Sequence, residues 1–172
     1  MQAGRDWRPG AAREALALRA GLNRLIREFF HARGVLEVET PLLSAAANTD
    51  PNIRSFALDY AGPNAGATRR RFLRTSPEFP LKRLLAAGVG DCYELGRVFR
   101  DGECGGRHNP EFTLLEWYRL GWDHLRLMEE VAELVQAAFG LVGRSLRPRR
   151  LSYRALFREQ LGIDPATASL EQ

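Results

Sequence analysis

The sequence predicts an α+β fold, an antiparallel sheet flanked by helices, and three observations predict it. An amphipathic helical pattern near the N-terminus runs into a glycine and a short strand closed by proline. Two strand-like segments, residues 93–99 and 110–120, are joined by a glycine-rich turn. A second helical stripe follows them over residues 123–140. The 172 residues are 45% hydrophobic and 27% charged, enough for one globular domain that buries a core. No apolar run approaches the roughly 20 residues that a membrane helix requires. The start, Met1-Gln-Ala-Gly-Arg-Asp-Trp-Arg8, lacks the apolar segment and cleavage site of a secretory signal, so a cytoplasmic protein is expected.

Taken in order, residues 11–33 place Leu18, Leu22, Leu25, Ile26, Phe29 and Phe30 at three- and four-residue steps, the period of a one-sided helix. Gly34 supplies a left-handed stop, and residues 35–41 read as a strand that Pro41 ends because it cannot donate to a ladder. Residues 44–52 are a polar turn region, residues 53–60 alternate as a strand, and residues 61–68 form a loop rich in Gly, Pro and Asn. Residues 71–74 are a brief strand. Ser76 is then expected to cap a helix with Pro77 at its first position, running to Ala87 and stopped by Gly88.

The hairpin comes next. In its second arm, period-two geometry sets Phe112, Leu114, Glu116 and Tyr118 on one face and Thr113, Leu115, Trp117 and Arg119 on the other. Asp123 caps a helix whose expected buried stripe is Leu127, Met128, Val131, Leu134, Val135 and Ala138, with Gly140 as its end. Residues 143–150 read as a basic linker and residues 152–161 as a short helix. No internal repeat divides the chain.

Cys92 and Cys104 are too few for a disulfide framework, and neither has Cys or His neighbours at zinc-ligand spacing. The net charge of +4 rests on 25 basic residues of which Lys82 is the one lysine; such an excess suits a nucleotide, a nucleic acid or an acidic protein equally. His31 stands where a helix C-terminus favours a cation. His124 and Trp122 read as packing or solvent contacts, and the clusters at 69–71 and 147–150 read as solvated surface.

Chemistry concentrates in the hairpin loop, which gathers Arg100, Arg107, His108 and Asn109 within ten residues. Guanidinium forks match phosphate oxygens, imidazole and amide groups extend the cradle, and a glycine-rich backbone lets a polyphosphate approach closely. A solvated surface hairpin has the same composition.

The segment Phe99-Arg-Asp-Gly-Glu-Cys-Gly-Gly-Arg-His-Asn-Pro-Glu-Phe-Thr-Leu-Leu-Glu-Trp-Tyr118 resembles motif 2 of class II aminoacyl-tRNA synthetases in the form carried by lysyl-tRNA synthetases. Gly34-Val-Leu-Glu-Val-Glu-Thr-Pro41 and the helix before it resemble motif 1. Thr75-Ser-Pro-Glu78, Lys82-Arg-Leu-Leu-Ala86 and Leu115-Glu-Trp-Tyr-Arg119 narrow the likeness to lysyl-tRNA synthetase paralogues that ligate (R)-beta-lysine to elongation factor P. The resemblance covers about residues 15–168, with motif 1 at about 22–41 and motif 2 at about 93–119.

It implies an ATP-dependent ligase that forms an aminoacyl-adenylate and passes the acyl group to a lysine side chain of elongation factor P. A homodimer is implied through motif 1, and no tRNA is expected, since only about twenty residues precede the motif 1 helix and leave no room for an anticodon-binding barrel. By the same resemblance Arg100 is the catalytic residue, holding the alpha-phosphate and the substrate carboxylate. Arg107, His108 and Asn109 contact the outer phosphates, Phe112 stacks on adenine, and the main chain of Asp101 and Gly102 reads its edge. Ser76, Pro77, Glu78, Glu116 and Tyr118 are the implied substrate pocket, with carboxylates for the ammonium groups.

No protein metal site is expected; Mg²⁺ would be held by phosphates and acids elsewhere. Two departures are visible. Gly102 stands where the family pattern often has an acid, with Glu103 following it, and motif 3 is absent. The expectation is therefore a single, incomplete catalytic domain over residues 1–172, inactive alone. A dimerising or elongation factor P-binding half-domain, or part of a tRNA-charging lysyl-tRNA synthetase, are the alternatives.

Overall fold

Residues 9–62 and 69–169 are described by a computed structural model. The first helix, α1 (Arg13–His31), buries Ile26, Phe29 and Phe30, with Leu22 and Leu25 partly covered beside them. Leu18 is 45% exposed, so the apolar stripe is used only over the C-terminal half of the helix. The expected glycine stop is present. Gly34 has φ +67°, its N–H donates to His31 O at 3.1 Å, and the N–H of Val35 donates to Phe30 O at 3.1 Å.

The following elements are β1 (Leu36–Glu37), β2 (Leu43–Ser44), β3 (Ala57–Asp59), β4 (Arg70–Leu73) and α2 (Glu78–Ala86). After them come β5 (Cys92–Phe99), β6 (Glu111–Tyr118), α3 (His124–Gly140) and α4 (Tyr153–Leu161). Two three-stranded sheets result, ordered β1-β5-β6 and β2-β4-β3. The hairpin β5–β6 is antiparallel over eight paired positions, as its alternation predicts. β1 runs parallel to β5 through Leu36 opposite Cys92, a pairing that two residues of strand are too short to announce in sequence. The stretches 35–41 and 53–60 are thus only partly strand, and Ser44 pairs with Phe72 instead of lying in a turn.

One face of the β1-β5-β6 sheet carries the core. Phe30 stacks on Tyr93 with ring centroids 4.5 Å apart and lies 5.4 Å from Trp117, while Leu95, Leu115 and Leu134 close the cluster. Trp117 satisfies its indole N–H on Glu130 Oε2 at 3.0 Å, and Arg119 reaches Glu130 Oε1 at 2.9 Å and Asp91 Oδ2 at 3.0 Å. Glu130 on α3 is 3% exposed, so this helix is moored to β6 by a buried carboxylate as well as by Leu134.

The stripe expected on α3 is corrected accordingly. Met128, Val131 and Val135 are 43%, 38% and 39% exposed, because the helix turns its Glu130–Leu134 edge inward. The helix ends at Gly140, as expected, and the left-handed residue follows at Gly143, at φ +67° with the Arg144 N–H returning to Phe139 O. The cluster at 147–150 is largely spoken for: Arg149 forks onto Glu159 and Arg150 donates to Glu129. Most of segment 61–68 lies outside the described residues, as do the first eight residues and the last three.

Candidate active site

The second face of β6 presents what period two requires, Phe112, Glu116 and Tyr118, opposite the core face of Leu115 and Trp117. Glu116 is the acceptor for two hydroxyls. Ser76 Oγ donates to its Oε2 at 2.6 Å, and the Tyr118 phenol donates to its Oε1 at 2.9 Å. Burial, the hydrogen bond to Glu116 and the negative charges of Glu116 and Glu78 hold the Tyr118 phenol above the ordinary tyrosine range. It is therefore a neutral donor at physiological pH.

Ser76 serves twice. Its Oγ also accepts the Glu78 N–H at 3.0 Å, opening α2. Pro77 is the capping residue, one position earlier than the first helical turn expected for it, and it is fully buried. Glu78 pairs one helical turn ahead with Lys82, Nζ to Oε1 at 2.5 Å. Ser76, Pro77, Glu78, Glu116 and Tyr118 are thus brought together at the start of α2 and the end of β6. Glu116 alone of the two carboxylates has hydroxyl partners and no cation among the described residues.

Toward the other end of the same strand, the Arg100 guanidinium carbon lies 5.1 Å from the Phe112 ring centroid. Its Nε donates to Thr75 O at 3.4 Å, and its Nη1 is 3.5 Å from Glu103 Oε1. The acid displaced by one position in the motif therefore pairs with Arg100. Asp101 donates its N–H to Arg54 O at 2.9 Å. Gly102 sits at φ +84°, a conformation that calls for glycine, with the mobile end of the exposed Arg54 side chain beside it.

The loop then reverses at Gly105 and His108, whose backbones exchange hydrogen bonds of 3.0 and 3.2 Å. Arg107, His108 and Asn109 project from that tip exposed, without side-chain partners among the described residues. Four residues of extended chain separate Phe112 from Glu116, about 13 Å along the strand. That spacing sets an aromatic surface with a cation above it at one end and a carboxylate with two hydroxyls at the other.

Sequence reasoning missed the polar cluster beside this face. Glu94 on β5 is in register with Glu116 and carries a salt bridge to Arg74, with Thr40 between them. The one signal for it was a carboxylate within the apolar run of β5. Arg54 was missed because its contact to the loop joins residues 47 positions apart (101 − 54) through backbone pairing. Among the described residues, no group of three or more His, Cys, Asp or Glu side chains is placed to hold a metal ion.

A family model described as tRNA synthetases class II (D, K and N) matches residues 3–166. The chain belongs to the class II tRNA synthetases. Within this family, it is 49% identical over 166 residues to an elongation factor P–(R)-beta-lysine ligase of Pseudoalteromonas translucida, covering 96% of this chain and 50% of the relative. Ligases of the same name from Vibrio cholerae and Yersinia enterocolitica are 47% and 46% identical over 97% of the chain and 50% of each relative. The chain spans about half the length of these curated relatives. The α+β architecture, with its hairpin and the helix–strand unit before it, is that of the class II synthetase domain. Among the described residues no helix is long and apolar enough to cross a membrane.

Proposed function

We propose that the chain carries the nucleotide- and diamine-binding face of an ATP-dependent ligase that activates (R)-beta-lysine and transfers it to a lysine side chain of elongation factor P. The observation that carries this reading is the two-ended face of β6: Arg100 over Phe112 at one end, and Glu116 with Ser76 and Tyr118 at the other. An adenylate of a diamino acid needs those two ends. A base stacks on the aromatic ring, and an ammonium released from water needs a carboxylate and hydroxyl acceptors.

In this reading Arg100 clamps the alpha-phosphate and the substrate carboxylate. One carboxylate oxygen attacks the alpha-phosphorus and pyrophosphate departs. The lysine amine of elongation factor P then attacks the acyl carbon, AMP departs, and the amine loses a proton. Positioning and stabilisation of charge at phosphorus perform the work, with no protein nucleophile. Asp101 and Gly102 offer main-chain groups to the adenine edge, while Arg107, His108 and Asn109 close on the outer phosphates from the exposed tip. Mg²⁺, which neutralises phosphate charge in such reactions, would be held by the phosphates and by acids outside this segment. A homodimer through the motif 1 segment is part of the same proposal.

Exchange of labelled pyrophosphate into ATP tests it, with (R)-beta-lysine and alpha-lysine offered separately to this chain and to a form extended past residue 172 to the length of its relatives. Exchange by the extended form, faster with (R)-beta-lysine, is expected. Absence of exchange with either diamine refutes adenylation, and charging of tRNA refutes the protein acceptor.

A further inference from the structure

Between the two sheets lies a polar cluster that the proposed ligand contacts do not include. The side chains of Arg74 and Glu94 are 5% and 3% exposed, with Arg74 Nη2 2.5 Å from Glu94 Oε1. Arg74 Nη1 donates to Thr40 Oγ1 at 2.6 Å and to Thr40 O at 3.1 Å, and its Nε donates to Arg97 O at 3.1 Å. Thr40 passes its own hydroxyl and N–H to Glu94 Oε2 at 2.6 and 3.2 Å. The Arg74 backbone is tied as well, N–H to Leu42 O and O to the Phe99 N–H, each at 2.9 Å. Even the facing strand makes room: a Cβ at Gly96 would stand 2.6 Å from Arg74 Nη2 and 2.9 Å from Glu94 Oε1.

A buried ion pair of this kind is a weak source of net stability, because desolvation offsets its attraction, so its geometry is what needs explaining. The two residues after Arg74 supply the explanation. Thr75 O accepts from Arg100 Nε, and Ser76 Oγ donates to Glu116 while accepting from Glu78. A single anchored residue therefore precedes contacts to both ends of the β6 face. Arg74 also occupies the Glu94 carboxylate, leaving its register partner Glu116 as the one open to a new cation.

We infer that Arg74 is a positioning residue: clamped between Thr40, Glu94 and Arg97, it sets the Thr75 carbonyl for Arg100 and the Ser76 hydroxyl for Glu116. The inference rests on the proposed function only for what the pocket binds.

Amide hydrogen exchange of the full chain tests it without ligand. In Arg74→Lys, which keeps the charge and loses the fork, the Glu78 amide exchanges at least tenfold faster. The Leu127 amide, bonded to Asp123 O on α3, stays within twofold of the unsubstituted chain. A double-substitution cycle then reads the ligand: Ser76→Ala weakens (R)-beta-lysine binding at least fivefold in the parent chain and less than twofold beside Arg74→Lys. Protection of Glu78 unchanged within twofold, an equal rise at Leu127, or additive effects in the cycle overturn the inference. If the parent binds no (R)-beta-lysine, the ligand reading falls and the Glu78 comparison alone decides the positioning role. Should Arg74→Lys not fold, Glu94→Gln, which keeps the shape of its partner, is read by the same two amides.

Discussion

Glu116 receives two hydroxyls and no cation from the described residues, which makes it the side chain whose loss separates the two proposed ligands. Glu116→Gln keeps the volume and removes the charge. A charge-assisted hydrogen bond contributes about 1.5–3 kcal/mol, so (R)-beta-lysine affinity should fall by roughly 10- to 100-fold while ATP affinity holds, measured by titration calorimetry. Arg100→Ala acts at the opposite end: adenylate formation in the extended form should drop roughly 100-fold or more, and near-normal pyrophosphate exchange would contradict its placement at phosphorus. Much of this was readable one residue at a time. Alternation in β6 assigned Phe112, Glu116 and Tyr118 to one side, and the order Thr75-Ser-Pro-Glu78 located the start of α2. The Arg74–Glu94–Thr40 cluster was not readable, because its members stand 20 to 54 positions apart and meet only when the two sheets do.

For the elements, caps and stops carried more information than apolar stripes did. Asp123 accepts the Arg126 N–H, as its position before a helical pattern implies, while Ser152, expected as the first helical residue, instead caps α4 by accepting the Ala155 N–H. The α3 stripe misled because period 3.6 says which residues share a face and nothing about which face has a neighbour. Where α1 crosses the sheet the packing is tight: Phe30 is fully buried against Tyr93 and Trp117. Phe30→Ala should therefore cost about 3–5 kcal/mol, seen as a lower denaturant midpoint. The same layer carries a pH dependence. Burial and the hydrogen bond to Glu37 raise the Tyr93 phenol, as burial and Glu116 raise that of Tyr118. Both are protonated in the fold beyond the pH at which a free phenol ionises. Their contribution is thus complete below about pH 10 and is lost as the pH rises above it, with a shallower loss in Tyr93→Phe. Denaturant melts between pH 8 and pH 11 at roughly half-unit steps would show the slope.

At the scale of the whole molecule, the class of fold followed from the hairpin and the helix–glycine–strand unit, whereas the division into two sheets did not. Strands of two and three residues such as β1, β2 and β3 hold too few positions for alternation to register, and their pairing is decided by partners far along the chain. The Arg-rich surface did not need an external partner to be explained at residues 149 and 150, which are paired within the chain. One property visible only across all 172 residues bears on experiment. Lys82, the single lysine, rests half-exposed on Glu78 at the rim of the proposed diamine pocket. An amine-directed fluorophore thus has one side-chain target besides the chain's own N-terminus, and because free diamine also consumes the reagent, saturating (R)-beta-lysine should slow coupling at Lys82 more than at the N-terminal amine, a ratio that mass spectrometry of the labelled peptides records. The polypeptide comes with its own reporter group, installed where occupancy of the pocket matters.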